Sequence, residues 1–290
     1  MTNQGRAYFY AGIAIFFWST VASAFKIALR HLDFYQLLFI ASWTSFLILM
    51  ITAAIQRKSR IILNTPLSGY LRSALYGFLN PFLYYLILFK AYTLLPAQVA
   101  QPLNMIWPIV LVFLSVPFLK QKIAIKSFIA LFISFIGVYL IASVGKPFDL
   151  KINEPLGVIL ATGSSIIWSF FWIFNMRDKR GELDKLVLNF FFASLYITLI
   201  TVIMSEIPIS VNKGTWLAVY SGAFEMGFTF FFWLKALQLS TTTDKVSNLV
   251  FLAPFFSLIV IHIFVGETIY LTTIYGLVFI VTGIIIEKIR

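Results

Sequence analysis

The feature that most constrains this chain is a duplication written in apolar residues. Ten apolar stretches of roughly 20 residues follow one another, at about 8–29, 34–55, 70–90, 97–118, 124–143, 156–176, 186–204, 215–237, 243–264 and 268–287. Each is long enough to cross a bilayer core of about 30 Å. Their unbroken apolar character predicts helices, because a barrel strand would be about ten residues long and would alternate. In hydrocarbon a helix satisfies its own backbone N–H and C=O groups. The second five stretches resemble the first five: Lys90-Ala91 aligns with Lys235-Ala236, Pro108 with Pro254, Gln121 with Glu267, and Gly137 with Gly283. The last three pairs share one offset, 254 − 108 = 146 residues.

An odd number of spans per repeat turns the two halves in opposite directions across the bilayer. The predicted fold is an all-α integral membrane protein, ten transmembrane helices arranged as two inverted five-helix repeats. The repeats are residues 1–146 and 156–290, joined by a linker at 147–155 whose prolines and charges interrupt the apolar pattern. This plan suits a secondary carrier with a solute site near the midplane.

Composition agrees. Sixty per cent of residues are apolar and 11% charged, with a mean hydropathy of +0.93, too few charges to cover a soluble surface. The net charge of +11 lies mostly in short loops, not on one soluble face, so nucleic acid is not an expected partner. Counting Lys and Arg on alternate sides gives 16 against 6, which predicts that both termini are cytoplasmic in a multi-pass protein of the cytoplasmic (inner) membrane. Arg6 and Ala22-Ser23-Ala24 imitate a signal peptide. The apolar run continues to Leu29, however, and Trp18-Ser19 has a counterpart in Trp168-Ser169, so the segment reads as a first span. With no cysteine and two distant histidines, no metal site and no cofactor are expected. The chain carries no Gly-rich phosphate loop and no nucleophile–base set, which argues against an ATPase and against an enzyme.

Glu225 is the sharpest single residue. It stands about mid-span in Tyr220-Ser-Gly-Ala-Phe-Glu-Met-Gly, where a charge is costly and marks a functional position. Desolvation favours its protonated form, which makes it a candidate for proton coupling; the other role is a counter-charge for a cationic substrate. By the repeat, Glu225 aligns with Asn80 and Gly222 with Gly77. Pro81 removes a backbone hydrogen bond, so Asn80-Pro81 predicts a helix irregularity. The fourth and ninth spans carry interior prolines beside amides: Gln101, Asn104 and Pro108 share one helix face, and Ser247 and Asn248 occupy the matching region before Pro254. Kinked helices beside amides suit a polar solute. Trp18, Trp107, Trp168 and Trp172 offer aromatic walls able to stack a ring or hold a cation, and Tyr84 adds a hydroxyl one turn from Asn80. The candidate substrate-binding residues are therefore Trp18, Asn80, Tyr84, Gln101, Asn104, Trp107, Trp168, Trp172, Glu225 and Asn248, with Glu225 also the coupling candidate. The expected partners are a small-molecule substrate and the lipid bilayer, for a monomer or homodimer.

Several residues together resemble the drug/metabolite transporter superfamily, specifically its EamA-type family. They are the opening Gly12-x-Ala14-x-x-Phe17-Trp18-Ser19 with Lys26, the Lys-Ala before each proline-bearing helix, and the closing Ser247-Asn-Leu-x-Phe251-Leu-x-Pro254-Phe255, Gly266-Glu267, Gly276 and Gly283. The resemblance spans about the whole chain. It implies ten helices in two inverted repeats around a central cavity. It also implies secondary active transport, by alternating access, of a small polar or amphipathic metabolite: an amino acid, a nucleoside-like compound or an S-adenosylmethionine-like one. The alternative reading is a passive channel or facilitator. One departure stands out: the Gly-Glu seen in many members near the end of the fourth span is Lys120-Gln121 here, and only the second half keeps it, as Gly266-Glu267.

Overall fold

Apolar runs of this length fold as helices in the computed structural model, which describes residues 2–56, 65–120, 125–148, 154–207, 211–240 and 248–288. In chain order these are α1 (Asn3–Ala28), α2 (Phe34–Ile55), α3 (Leu67–Gly77), a π-helical turn (Phe78–Leu83), α4 (Tyr84–Leu94), α5 (Ala97–Asn104), α6 (Trp107–Leu119), α7 (Ile125–Ala142), α8 (Pro155–Arg177), α9 (Glu182–Met204), α10 (Lys213–Glu225) and α11 (Phe228–Leu239). A 3-10 turn (Asn248–Leu252), α12 (Ala253–Val260), a second π-helical turn (Ile261–Val265) and α13 (Leu271–Lys288) complete the order. Gln121, Ser247 and most of the 147–155 linker lie outside the described residues, and of Asn248 only the backbone is described.

Among the described residues, seven helical stretches are long and apolar enough to cross a membrane: Asn3–Ala28, Phe34–Ile55, Leu67–Leu94, Ala97–Phe118, Ile125–Ala142, Pro155–Asn175 and Leu183–Met204. They coincide with the first seven expected spans. Leu249–Val265 and Leu271–Ile286 are shorter apolar helices. The chain is a multi-pass membrane protein.

Helix ends are set by local chemistry. Asp33 Oδ1 accepts from the N–H groups of Tyr35 and Gln36 at 2.8 and 2.9 Å, and Gln36 Oε1 accepts from Asp33 N–H at 3.2 Å, a capping box that starts α2. Prolines cause the breaks foreseen from the sequence. Pro81 has no N–H to give the Gly77 carbonyl, and Asn80 beside it is extended (φ −148°, ψ 123°). Pro108 cannot reach the Asn104 carbonyl, and the helix stops at Asn104 and restarts at Trp107.

The eighth expected span differs from the reading. It is two helices, α10 and α11, broken at Met226-Gly227 without any proline. Gly227 adopts φ −101°, ψ −94°, far from helical values. A Cβ there would meet the Ala223 carbonyl oxygen at 2.7 Å. The Thr229 hydroxyl donates to the Phe224 carbonyl across the break.

The helices form two compact units, Met1–Thr65 with Ser194–Glu267, and Pro66–Ala193 with Thr268–Arg290. Each unit draws on both halves of the sequence. In the first, α1 packs against α10, α11 and α12, and α2 against α10. Gly222 on α10 permits that last approach, since a Cβ would meet Ala41 Cα at 2.9 Å. Ser45 Oγ adds a 2.8 Å hydrogen bond to the Gly222 carbonyl.

In the second unit α8 packs against α4, α5 and α6, and α7 against α13. Gly77 lies against the backbone of Asn189 and Ala193 on α9. Between α7 and α13, a Cβ on Gly137 would lie 2.5 Å from the Gly276 carbonyl oxygen, and one on Gly283 would lie 2.7 Å from that of Ala130. Backbone contact of this kind needs small residues.

Outside the spans, the second unit carries a clamp. Arg180 donates to the buried Asp178 carboxylate (Nη2 to Oδ2 2.6 Å), to the Gly69 carbonyl and to Ser73 Oγ (both 2.9 Å). Burial pushes the Asp178 carboxyl up. The Arg180 hydrogen bonds and the charges of Arg180 and Lys185 outweigh that and hold it below the ordinary carboxylate range. The clamp ties the loop after α8 to the start of α3.

Candidate functional site

Where prolines break α3–α4 and α5–α6, polar side chains collect. Tyr84, the first residue of α4, donates its hydroxyl to Asn104 Oδ1 at 3.0 Å. Asn104, the last residue of α5, donates Nδ2 to Ser164 Oγ on α8 at 2.8 Å. Ser164 in turn donates to the Ala161 carbonyl. Trp168, one turn on from Ser164, stacks obliquely on Tyr84 with centroids 4.8 Å apart. It meets Trp107 edge-on at 6.4 Å and Trp172 edge-on at 5.9 Å. Five of the residues singled out in the sequence, Tyr84, Asn104, Trp107, Trp168 and Trp172, thus form one constellation within the second unit.

The same unit holds further unpaired polar atoms. Asn80 Oδ1, Gln101 Oε1, Thr162 Oγ1 and Trp172 Nε1 are buried with no hydrogen-bond partner among the described residues, and so are both amide atoms of Asn189. A buried polar atom left unpaired costs about 1–3 kcal/mol. Such atoms on neighbouring helices favour a polar solute that pairs with them. Gln98, on the same helix as Gln101, behaves otherwise. Its Nε2 donates to the Thr268 carbonyl at 2.7 Å and its Oε1 accepts from Tyr270 N–H at 3.0 Å, so it anchors the segment entering α13.

Two residues escaped the reading. Ser164 is not among the residues singled out above, although its i, i+4 spacing to Trp168 places both on one helix face. Asn189 stands as a lone amide inside an apolar run, which was signal enough.

The remaining candidates lie in the first unit. Glu225 is the last residue of α10, half-buried, at the break before α11. Free carbonyls at a helix end attract positive charge. Trp18 meets Trp233 of α11 at 5.2 Å. Beside Glu225, Phe224 stacks on Phe17 at 4.3 Å, and Tyr220 Oη shares a 2.6 Å hydrogen bond with Thr20 Oγ1. The backbone of Asn248 opens the 3-10 turn that leads into α12.

Matching serines pin both proline-bearing helices. Ser19 Oγ lies 3.1 Å from the carbonyl of Ala253, the residue before Pro254. Ser169 Oγ lies 3.0 Å from the carbonyl of Trp107, the residue before Pro108.

Comparison with known proteins accords with this architecture. The model of the EamA-like transporter family matches residues 5–143 and again residues 155–286. The "Uncharacterized transporter YvbV" of Bacillus subtilis (strain 168) is 26% identical over 248 residues, covering 82% of this chain and 77% of that protein. A solved structure, described only as the crystal structure of a protein, matches with a TM-score of 0.66 at 18% identity over 97% of this chain and 96% of its own; at that identity the likeness concerns the fold. With the family match running over nearly its whole length, the chain belongs to the EamA-like transporter family of the drug/metabolite transporter superfamily.

Proposed function

We propose that the chain is a secondary active transporter. It moves a small polar or amphipathic metabolite across the cytoplasmic membrane by alternating access, with both termini cytoplasmic. The observation that carries this reading is the Tyr84–Asn104–Ser164 hydrogen-bond chain walled by Trp107, Trp168 and Trp172. Unpaired Gln101 Oε1 and Trp172 Nε1 on the same helices supply an acceptor and a donor. A solute with a planar apolar part and polar edges suits such walls. Glu225, at a helix break in the other unit, takes the coupling proton or the positive charge of the solute.

The ten-span, two-repeat plan (1–146 and 156–290) draws support from contacts that trade partners between the halves. Ser19 with Ala253 answers to Ser169 with Trp107. Gly222 with Ala41 answers to Gly77 with Asn189, and Gly137 with Gly276 to Gly283 with Ala130. Inverted repeats of this kind underlie alternating access in other carriers.

Thermal stabilisation of the purified protein across a panel of amino acids, nucleosides, S-adenosylmethionine and polyamines tests the site. A ligand that binds only the folded state raises apparent stability by mass action. The expected result is a hit whose stabilisation is lost in a folded Asn104→Ala variant. A hit that binds this variant with wild-type affinity removes Asn104 from the site.

A further inference from the structure

α1 and α11 run antiparallel, with Gln4 beside Ser240 and Tyr10 against Phe232, and Phe17 of α1 stacks on Phe224 near the end of α10. Between them lies an open groove of about 770 Å³ whose walls are aromatic, including Phe9, Phe16, Phe224, Phe228 and Phe232. Its floor is Gly12, where a Cβ would meet nothing within 4 Å. Phe9 and Phe16 are 58% and 63% exposed, so the groove opens to the surroundings of a membrane-spanning helix. From Tyr8 to Phe17 it runs about 14 Å at 1.5 Å per residue. That is roughly half of a 30 Å hydrocarbon core, the depth of one leaflet.

One end of the groove is cationic. Ala7 and Ala236 pack together, which brings their neighbours Arg6 and Lys235 to the same level. Arg6 is exposed and precedes Phe9 by three residues; Lys235 is half-buried and follows Phe232 by three. Three-residue spacing keeps each cation on the helix face that lines the groove. Side chains on a helix lean toward its N-terminus. Arg6 therefore leans out past the mouth, while Lys235 leans back along α11 toward the aromatic walls. An apolar trough one leaflet deep with two basic groups at its rim complements a molecule with one anionic head and one apolar tail.

We infer that this groove is a binding site for an anionic glycerophospholipid, its phosphate held by Arg6 and Lys235 and one acyl chain laid over Gly12 between the phenylalanines. Basic groups beside a span recognise anionic headgroups in this way. Its residues belong to the first unit, whereas Tyr84 and Asn104 belong to the second.

The test titrates purified protein in detergent with phosphatidylglycerol or phosphatidylcholine of equal chain length. It reads melting temperature and, by native mass spectrometry, retained lipid. Phosphatidylglycerol is expected to raise the melting temperature more and to remain bound. Arg6→Gln combined with Lys235→Gln should weaken phosphatidylglycerol binding about tenfold, to the level of phosphatidylcholine. Gly12→Phe, whose ring enters open space, should lose retained lipid of both kinds. Equal binding of the two lipids by the wild-type protein would overturn the inference, as would full phosphatidylglycerol retention in Gly12→Phe. If Gly12→Phe does not fold, the surface double variant decides: undiminished preference for phosphatidylglycerol there rejects the site.

Discussion

A carboxylate at position 225 is costly wherever it lies in hydrocarbon, and Glu225 stands at the end of α10. The chain breaks there through Gly227 and Thr229, so Glu225 stands beside backbone carbonyls that a continuous helix would have paired. In the proposed role Glu225 takes a proton or a cationic group at this helix end. Glu225→Gln mimics the protonated acid. The expected result is transport that no longer responds to an imposed pH gradient while solute binding persists. Unchanged pH dependence in that variant would remove Glu225 from coupling. The lone acid in an apolar run made Glu225 legible in the sequence. The break was not legible, because it depends on one glycine's backbone angles and one threonine hydroxyl. The aromatic constellation was half-visible: Trp168 and Asn104 stood out as polar or amphipathic residues in apolar spans, but only folding shows that Ser164 joins Asn104.

Among the elements, glycine placement separates contacts that need a bare backbone from positions that merely tolerate one. In the α7–α13 pair a Cβ on Gly276 would lie 2.6 Å from the Gly137 carbonyl oxygen. Gly276→Val should force the helices apart and destabilise the protein by about 1–3 kcal/mol, the cost of overpacking a core. The check is the detergent melting temperature, with Gly163→Ala as control, since a Cβ at Gly163 meets nothing within 4 Å and alanine is the better helix former. Equal stability of the two variants would show that the close approach is not what holds α7 to α13. The first seven spans and the proline breaks were readable from apolar length and the missing proline N–H. Helix partners were not. In lipid an apolar face gives no preference for one neighbour over another, so the packing of α1 with α11 and α12, more than 200 residues away in sequence, rests on small residues and hydroxyls such as Ser19.

The whole molecule is a multi-pass helical membrane protein of the EamA-like transporter family, and its proposed solute site stands where helices break. The proposed alternating access rests on contacts that hold the broken helices within each unit. The pins from Ser19 to Ala253 and from Ser169 to Trp107 each lie within one unit and hold its proline-bearing helix in place. A carrier of this design exchanges solute one molecule per cycle; a channel passes it in proportion to the gradient. Counterflow in proteoliposomes separates them most directly. Vesicles are loaded with a high concentration of the solute found by thermal stabilisation, and uptake of a labelled trace is followed. The account predicts saturable uptake with a transient overshoot, abolished by Asn104→Ala. Uptake that rises linearly with concentration and shows no overshoot would contradict it.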